Sequence, residues 1–295
     1  MDLNTVDSYT HTPLEDASCQ IRLLRIHPGD GDEIHCTIAA YDVASAPEYS
    51  AVSYTWGPRE NPKTIWIDSK PFKVTQNCHC ALWQARLHFP YWQAQLDWLG
   101  NFVWIDSVCI QQSNLSEKGE QVGMMGDMYG HSALVFACVG AHDETSRLLM
   151  ESIENLFPAF DNHCRGNRMS FLPTITEQTL SNLNRWLKPF ASRPYWSRLW
   201  ILQEMQGGMP HHNWILCGDS MLMYHHLHTI ILSFRQFYDD GPLSTWFSHW
   251  RAYDFLKSNQ VLMVSKLQLQ PTLPRPLSSV QYSDATVVSY PSVNR

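Results

Sequence analysis

The segment from Ser192 to Gln206, SRPYWSRLWILQEMQ, carries a carboxylate where a helix normally disfavours one. The pattern predicts a single helix over this segment, with glycine immediately after it as a stop signal. Glu204 then falls in the last turn, where the negative end of the helix dipole costs a few tenths of a kcal/mol. Helical spacing also puts Glu204 beside Trp196 and Trp200. An acid held beside indoles against its local electrostatic preference is a candidate catalytic group.

Further candidates follow two apolar runs that are predicted to be buried strands. Trp56, Gly57 and Arg59 come at or just after the first run, and Asp106 follows the second. In an open parallel sheet, ligands bind beyond the carboxyl ends of the strands, so these residues are candidate ligand contacts. The alternative is that the glycine only turns the chain and that Asp106 only caps the next segment. Convergence of these residues at one place would favour the ligand site.

Other kinds of chemistry find little support in the spacing of the residues. Cys78-His79-Cys80 has no second Cys/His pair at zinc-finger distance, and the chain contains neither an HExxH nor a GxSxG motif. We therefore predict no metal site and no serine nucleophile. Cys109 lies between Val108 and Ile110, which favours a buried thiol over a reactive one.

Composition restricts the possible partners and the cellular location. The chain of 295 residues is 44% hydrophobic and 17% charged, with a net charge of −7, so a globular interior is expected and a nucleic-acid partner is not. The acidic N-terminus lacks the features of a secretory signal, which predicts a cytoplasmic protein. The longest apolar stretch, residues 133–141, is far short of the ~20 residues needed to span a bilayer, so no membrane span is predicted.

Apolar runs and helical patterns alternate along the chain. Buried strands are predicted at residues 49–56, 102–105, 133–139 and 214–217, and helices at 77–88, 117–131 and 192–206. Asn114 and Glu117 have the spacing of a capping box at the start of the second helix. This alternation is typical of an α/β fold with a mainly parallel sheet flanked by helices. Residues 64–75 read as a peripheral hairpin. The predicted organisation is a polar segment over 1–19, a core domain over 20–256 with an insertion at about 141–190, and an irregular Ser/Pro-rich extension over 257–295.

Five ordered blocks resemble the signature blocks of the fungal heterokaryon incompatibility (HET) domain. They cover residues 49–57, 74–82, 103–112, 117–133 and 193–204, including YSAVSYTWG, VWIDSVCIQQ and RPYWSRLWILQE. The resemblance extends over roughly residues 20–220. Ordered blocks that contain several rare tryptophans are far more specific than any one motif.

The resemblance implies fungal non-self recognition, a form of innate immunity that triggers programmed cell death, with a homo-oligomer or a sensor protein as partner. The HET fold is thought to be distantly similar to TIR domains, which have a flavodoxin-like sheet. In TIR domains that cleave NAD, a glutamate follows a tryptophan at the spacing of Trp200 and Glu204.

By this resemblance NAD is a possible substrate, no cofactor is required, and Glu204 is the catalytic carboxylate. Trp56 or Trp200 would then stack on a base, the amides near Gly57 or the Arg59 side chain would face phosphates, and Asp106 would belong to the same site. The alternative implied by the resemblance is a non-enzymatic adaptor that signals by assembly.

Overall fold

The computed structural model of the chain describes residues 7–164, 176–198, 200–206 and 213–237. These residues all belong to one compact unit, Met1–Phe247. The predicted extension over 257–295 lies outside the described residues. Within the described ranges, every helix is too short or too polar to cross a lipid bilayer.

Strands and helices alternate through most of the described chain. The strands are β1 (Gln20–Ile26), β2 (His35–Asp42), β3 (Ser50–Tyr54), β4 (Lys63–Ile67), β5 (Lys70–Val74), β6 (Phe102–Trp104), β7 (Leu134–Cys138), β8 (Asn213–Cys217) and β9 (Ser220–Met223). The helices are α1 (Gln76–Gln95), α2 (Asp106–Cys109), α3 (Leu115–Gly123), α4 (Met125–His131), α5 (Ser146–Cys164), α6 (Glu177–Ala191), α7 (Ile201–Gln206) and α8 (Tyr224–Phe237). The chain is therefore a mixed α/β fold.

The described strands form one sheet in the order β5-β4-β2-β1-β6-β3-β7-β8-β9. The four predicted buried strands are confirmed as β3, β6, β7 and β8, and they lie side by side as a parallel centre. The prediction of a mainly parallel sheet is wrong for the outer part, because β1 runs antiparallel to both β2 and β6, and the β4–β5 and β8–β9 pairs are also antiparallel. The fold is best described as a parallel centre with further strands on both sides, which pair antiparallel except for the parallel pair of β2 and β4.

The predicted hairpin is confirmed at the edge of this sheet as β4 and β5. Its two turn residues, Asp68 and Ser69, both have positive φ, as a tight two-residue hairpin turn requires. Strands β1 and β2 were not predicted. An arginine interrupts the apolar pattern of β1, and β2 is largely exposed, so neither strand has a clear sequence signal.

Helices cover both faces of the parallel centre. Successive residues of a strand point to opposite faces of the sheet. On one face, the Ser53 hydroxyl binds the Glu204 carboxylate of α7. On the other face, the Tyr54 hydroxyl binds Ser107, which also contacts Cys78 of α1. Helix α1 is longer than predicted, although it contains Pro90. The predicted helix over 117–131 is divided into α3 and α4 at Met124, and the predicted cap at its start is confirmed by a bond from the Glu117 amide to the Asn114 side chain.

Two long helices occupy much of the region predicted to be an insertion at about 141–190. Helices α5 and α6 have 19 and 15 residues, and α5 packs against α6, α8 and β9. Each contains a proline, Pro158 or Pro189, which weakens the helical signal in the sequence. The described part of this region is therefore helical, and α5 packs against the elements that follow it in the chain.

The single helix predicted over 192–206 is wrong. Ser192 is the C-cap of α6, residues Pro194–Ser197 form a 3₁₀ turn, and α7 starts only at Ile201. The residue before a proline is forced away from helical geometry, and Arg193 is accordingly extended, with φ −62° and ψ 140°. Arg198 is extended as well. Glu204 consequently lies in the first turn of α7, and the predicted helical spacing holds for Trp200, whose carbonyl accepts the Glu204 amide, but not for Trp196 in the preceding 3₁₀ turn.

A buried ion pair fastens the described N-terminal residues to the sheet. The guanidinium of Arg22 in β1 donates to both carboxylate oxygens of Glu117 at 2.6 and 2.9 Å, and both side chains are 3% exposed. The same guanidinium donates to the carbonyl oxygens of Thr12 and Cys109. Burial raises the pKa of Glu117, but the hydrogen bonds from Arg22 and from the Gln111 amide outweigh it and leave the pKa below its usual value.

We expect Arg22→Ala to destabilise the protein by about 3–5 kcal/mol, because Glu117 would remain buried without its partner. Arg25→Ala is the matched control on the same strand, since Arg25 is exposed, and we expect about 0.5 kcal/mol or less. Urea unfolding followed by circular dichroism measures both changes. Equal losses in the two variants would contradict the structural role of the pair.

Candidate active site

Glu204 is fully buried and bound on both of its carboxylate oxygens. Arg198 donates to Oε1 at 2.7 Å and to Oε2 at 3.0 Å, and the Ser53 hydroxyl donates to Oε2. The Glu204 side chain is 1% exposed and the Arg198 side chain is 19% exposed, so the guanidinium is the more solvent-accessible partner. At the first turn of α7 the helix dipole favours a negative charge. The location of Glu204 is thus electrostatically favourable, contrary to the prediction.

A hydroxyl pair continues this network into the sheet. The Ser53 and Tyr195 hydroxyl oxygens are 2.7 Å apart, and because Ser53 gives its proton to Glu204, Tyr195 must donate to Ser53. Arg198 lies over the Tyr195 ring, with its guanidinium carbon 5.6 Å from the ring centre. Burial, followed by the nearby Glu204 charge, raises the pKa of Tyr195, which keeps this hydroxyl protonated.

Trp56 and Asp106, two of the predicted ligand contacts, bind each other. The indole nitrogen of Trp56 donates to both oxygens of Asp106, at 3.1 and 3.0 Å. Trp56 lies just beyond β3 and Asp106 just beyond β6, and these neighbouring strands are parallel, so both residues sit at the same edge of the sheet. The predicted convergence is therefore present for this pair.

Asp106 and Glu204 belong to one electrostatic cluster. Burial raises the pKa of Asp106 to about 6, the hydrogen bond from Trp56 lowers it, the Glu204 charge raises it and Arg198 lowers it. Both carboxylates also raise the pKa of the buried Tyr129 hydroxyl, after the larger effect of burial. The cluster of Asp106, Glu204 and Arg198 thus holds two carboxyl groups and one guanidinium.

The remaining predicted residues have less specific surroundings. Gly57 has a φ of +69°, and a β-carbon there would come within 2.5 Å of the Asn77 side-chain nitrogen, so the turn itself accounts for a glycine. Arg59 is exposed. Trp200 is 52% exposed, and its carbonyl oxygen accepts the Glu204 amide. Their predicted roles toward a ligand remain predictions.

Sequence reasoning missed Ser53 and Tyr195 as members of the cluster. Arg198 is likewise absent from the predicted site residues. Side chains that are neighbours on a helix are three or four positions apart, whereas Arg198 and Glu204 are six positions apart. Only the extended backbone at Arg198 brings its guanidinium to the carboxylate.

Arg193 holds the segment before α7 over the ends of β7 and β8. Its guanidinium donates to the carbonyl oxygens of Val139 and Ala141 at 3.0 and 2.8 Å, and to the Asp143 carboxylate at 2.7 Å. It also lies 3.3 Å from the Cys217 sulfur. Arg193 is thus a positioning residue that fixes the path of the chain toward Arg198.

The cluster has the charge needed to stabilise a cationic transition state. Carboxylates in a protein interior stabilise developing positive charge more strongly than they would in water. The Trp56 ring at the edge of the cluster is a flat surface suited to stacking on a heterocycle. These groups therefore fit a reaction in which positive charge develops on a bound substrate.

We expect Arg198→Ala to destabilise the protein by about 3–5 kcal/mol, because Glu204 would lose the cation that neutralises it. Arg147→Ala is the control, since Arg147 pairs with Asp219 where both side chains are about half exposed, and we expect about 1 kcal/mol or less. Thermal unfolding and urea titration of both variants provide the measurement. A loss at Arg198 as small as that at Arg147 would contradict this assignment.

The raised pKa of Asp106 predicts a pH-dependent effect on stability. A carboxyl whose pKa rises on folding binds its proton more tightly in the native state, so its contribution to stability falls as the pH rises from 3.8 to about 6. Asp106→Asn removes this dependence. The free energy of unfolding of the variant, relative to that of wild type, should therefore be about 1 kcal/mol higher at pH 8 than at pH 5. Urea titrations at the two pH values test this, and a pH-independent difference would contradict the assignment.

Comparisons with known proteins agree with the signature blocks. The family model described as "Heterokaryon incompatibility protein (HET)" matches residues 49–204, slightly more than half of the chain. A curated Neurospora crassa protein, "Heterokaryon incompatibility protein 6, OR allele", is 30% identical over 251 residues, which cover 72% of this chain and 34% of the relative. The chain thus spans about a third of the length of that relative. No solved structure matches the chain. The chain belongs to the heterokaryon incompatibility (HET) family.

Proposed function

We propose that this HET domain acts in fungal incompatibility by cleaving the bond between nicotinamide and ribose in NAD, and that the loss of NAD triggers cell death. The observation that carries the proposal is the cluster of Glu204, Asp106 and Arg198 at the carboxyl edge of the parallel strands. Breaking this bond leaves positive charge on the ribose ring, which the Glu204 carboxylate would stabilise.

A distant relationship to TIR domains, with their flavodoxin-like sheet, is part of this proposal. It is supported by the parallel centre β6-β3-β7-β8, by the helices on both faces, and by the spacing of Trp200 and Glu204. In a flavodoxin-like sheet, ligands bind beyond the carboxyl ends of the strands, which is where Trp56 and Asp106 lie.

Substrate binding must expose Glu204, because its oxygens are occupied by Arg198 and Ser53. The hydroxyls of a ribose donate hydrogen bonds as Ser53 does, and a dinucleotide brings phosphates that attract a guanidinium. In the proposed complex, Arg198 moves toward the phosphates and Glu204 binds the ribose. The Trp56 ring would stack on one base. The positions of Gly57 and Arg59 after β3 are consistent with a role near the phosphates.

The alternative function is a non-enzymatic module that signals by binding another copy or a sensor protein. One observation favours it specifically: Glu204 is 1% exposed and fully paired, as a structural carboxylate would be. In this alternative the network of Arg198, Glu204 and Ser53 serves to hold α7 against β3.

The deciding experiment measures NAD consumption by the purified chain, in dilute form and after concentration into assemblies. We expect Glu204→Gln to lose at least about 100-fold in rate, because an amide cannot stabilise the cationic transition state as a carboxylate does. Glu204→Gln retains the size of the side chain, and its thermal unfolding checks that the fold is intact.

Glu151→Gln, a change at an exposed position of α5, is the matched control and should retain the wild-type rate. Equal rates for wild type and Glu204→Gln, or no consumption in either preparation, would overturn the catalytic proposal. If the Glu204 variant also still kills when expressed in a fungal host, the adaptor function is the one supported.

A further inference from the structure

Asp106 has hydrogen-bonding capacity that the fold does not use. Its carboxylate accepts from the indole of Trp56 and from the Ser107 amide, and both donors are neutral. A carboxylate has about four acceptor positions, so it can still bind a water molecule or a proton. Asp106 also makes no cap for α2, because the N-cap is Ile105 and no side-chain cap bond is formed.

Glu204 and Arg198 are the charged side chains with the largest effects on Asp106. Asp106 in turn acts on two phenols and two thiols: Tyr54 of β3, Tyr129 of α4, Cys78 of α1 and Cys109 of α2. Burial raises the pKa of each of these four groups far above 7, so they stay neutral. The single guanidinium is bound bidentately to Glu204, which leaves Asp106 without a cation of its own.

The two carboxylates differ in their surroundings. Glu204 is held by a guanidinium and a hydroxyl, whereas Asp106 is partly exposed and held only by neutral donors. A deeply buried carboxylate, whose charge is little screened by water, suits an electrostatic role. A partly exposed carboxylate with a pKa of about 6 is mostly ionised at neutral pH yet basic enough to accept a proton, which suits proton transfer.

We propose that Asp106 is the general base that takes the proton from the water attacking the ribose, while Glu204 stabilises the cationic ring. This inference rests on the proposed function for the reaction itself. It assigns Asp106 a role that is separate from holding the substrate.

The proton balance of the reaction places this role in the second step. The bond between the ribose carbon and the pyridinium nitrogen breaks with both electrons going to nitrogen, so nicotinamide leaves neutral and needs no acid. The oxygen of water then bonds to the ribose carbon, and one water proton passes to the Asp106 carboxylate and later to solvent. The products are nicotinamide, ADP-ribose and a proton.

A competing nucleophile separates the two steps experimentally. A neutral pyridine such as acetylpyridine bonds to the same ribose carbon through its nitrogen and has no proton to lose, so base exchange does not need Asp106. We expect Asp106→Asn to slow hydrolysis by about 100-fold and to raise the ratio of exchange to hydrolysis by a similar factor. Chromatography of NAD reactions containing acetylpyridine measures both products in one assay.

Asp97→Asn is the matched control, because Asp97 is exposed in the loop before β6 and the substitution is the same. Its exchange ratio should equal that of wild type. A wild-type chain that consumes no NAD would overturn the proposed function and this inference together. An active wild type whose ratio is unchanged by Asp106→Asn would overturn the role of Asp106 alone.

Trp56→Phe provides a second variant that retains the carboxylate and an aromatic ring. Since the indole hydrogen bond lowers the pKa of Asp106, its removal should raise that pKa. The acidic limb of the hydrolysis rate should therefore move to higher pH, while the exchange rate should show no such movement. An identical displacement of both profiles would contradict the assignment, because a merely structural change would affect both steps.

Discussion

The pairing of Glu204 with Arg198 across an irregular stretch of chain is the interaction on which the candidate site depends. A carboxylate this deeply buried is tolerated only with a cation and further hydrogen bonds, and Arg198 and Ser53 supply both. The pair and Ser53 hold the first turn of α7 against β3. Strand β3 lies between β6 and β7 and pairs in parallel with both. The pair also contributes, after burial and the Trp56 hydrogen bond, to the pKa of Asp106.

The same pair explains why the chain leaves helical geometry before α7. Arg193 is clamped over the ends of β7 and β8, and Pro194 prevents α6 from continuing through it. The backbone is extended again at Arg198, which directs the guanidinium back toward Glu204. A continuous helix would have satisfied more backbone hydrogen bonds, but it would not have delivered this cation to the buried carboxylate.

A second buried pair, Arg22 with Glu117, plays the corresponding structural role at the opposite end of the described chain. It ties the N-terminal residues, β1, α2 and α3 together and leaves Glu117 with no evident chemical task. The contrast with Asp106 is informative. Glu117 and Glu204 each have a guanidinium, whereas Asp106 has only neutral donors, and groups with such perturbed surroundings are the usual candidates for proton transfer.

The sequence by itself determined the local features. Continuous apolar runs identified β3, β6, β7 and β8, because strands buried on both faces need no alternation. The β4–β5 hairpin and the Asn114 cap also followed from short-range turn and capping chemistry. Glu204 was found as a candidate, although by an argument about a helix end that the structure corrects.

Only the tertiary structure decided which charges meet. Strand β1 was not predicted, because an arginine such as Arg22 normally indicates an exposed position, and only the structure shows that it is buried beside Glu117. Asp106 and Glu204 lie far apart in sequence, and only the parallel pairing of β3 with β6 and the packing of α7 on β3 bring them into one cluster. Spacing along the chain encodes the periodicity of each element. The burial and pairing of charges depend on contacts between elements, and local periodicity carries no information about those contacts.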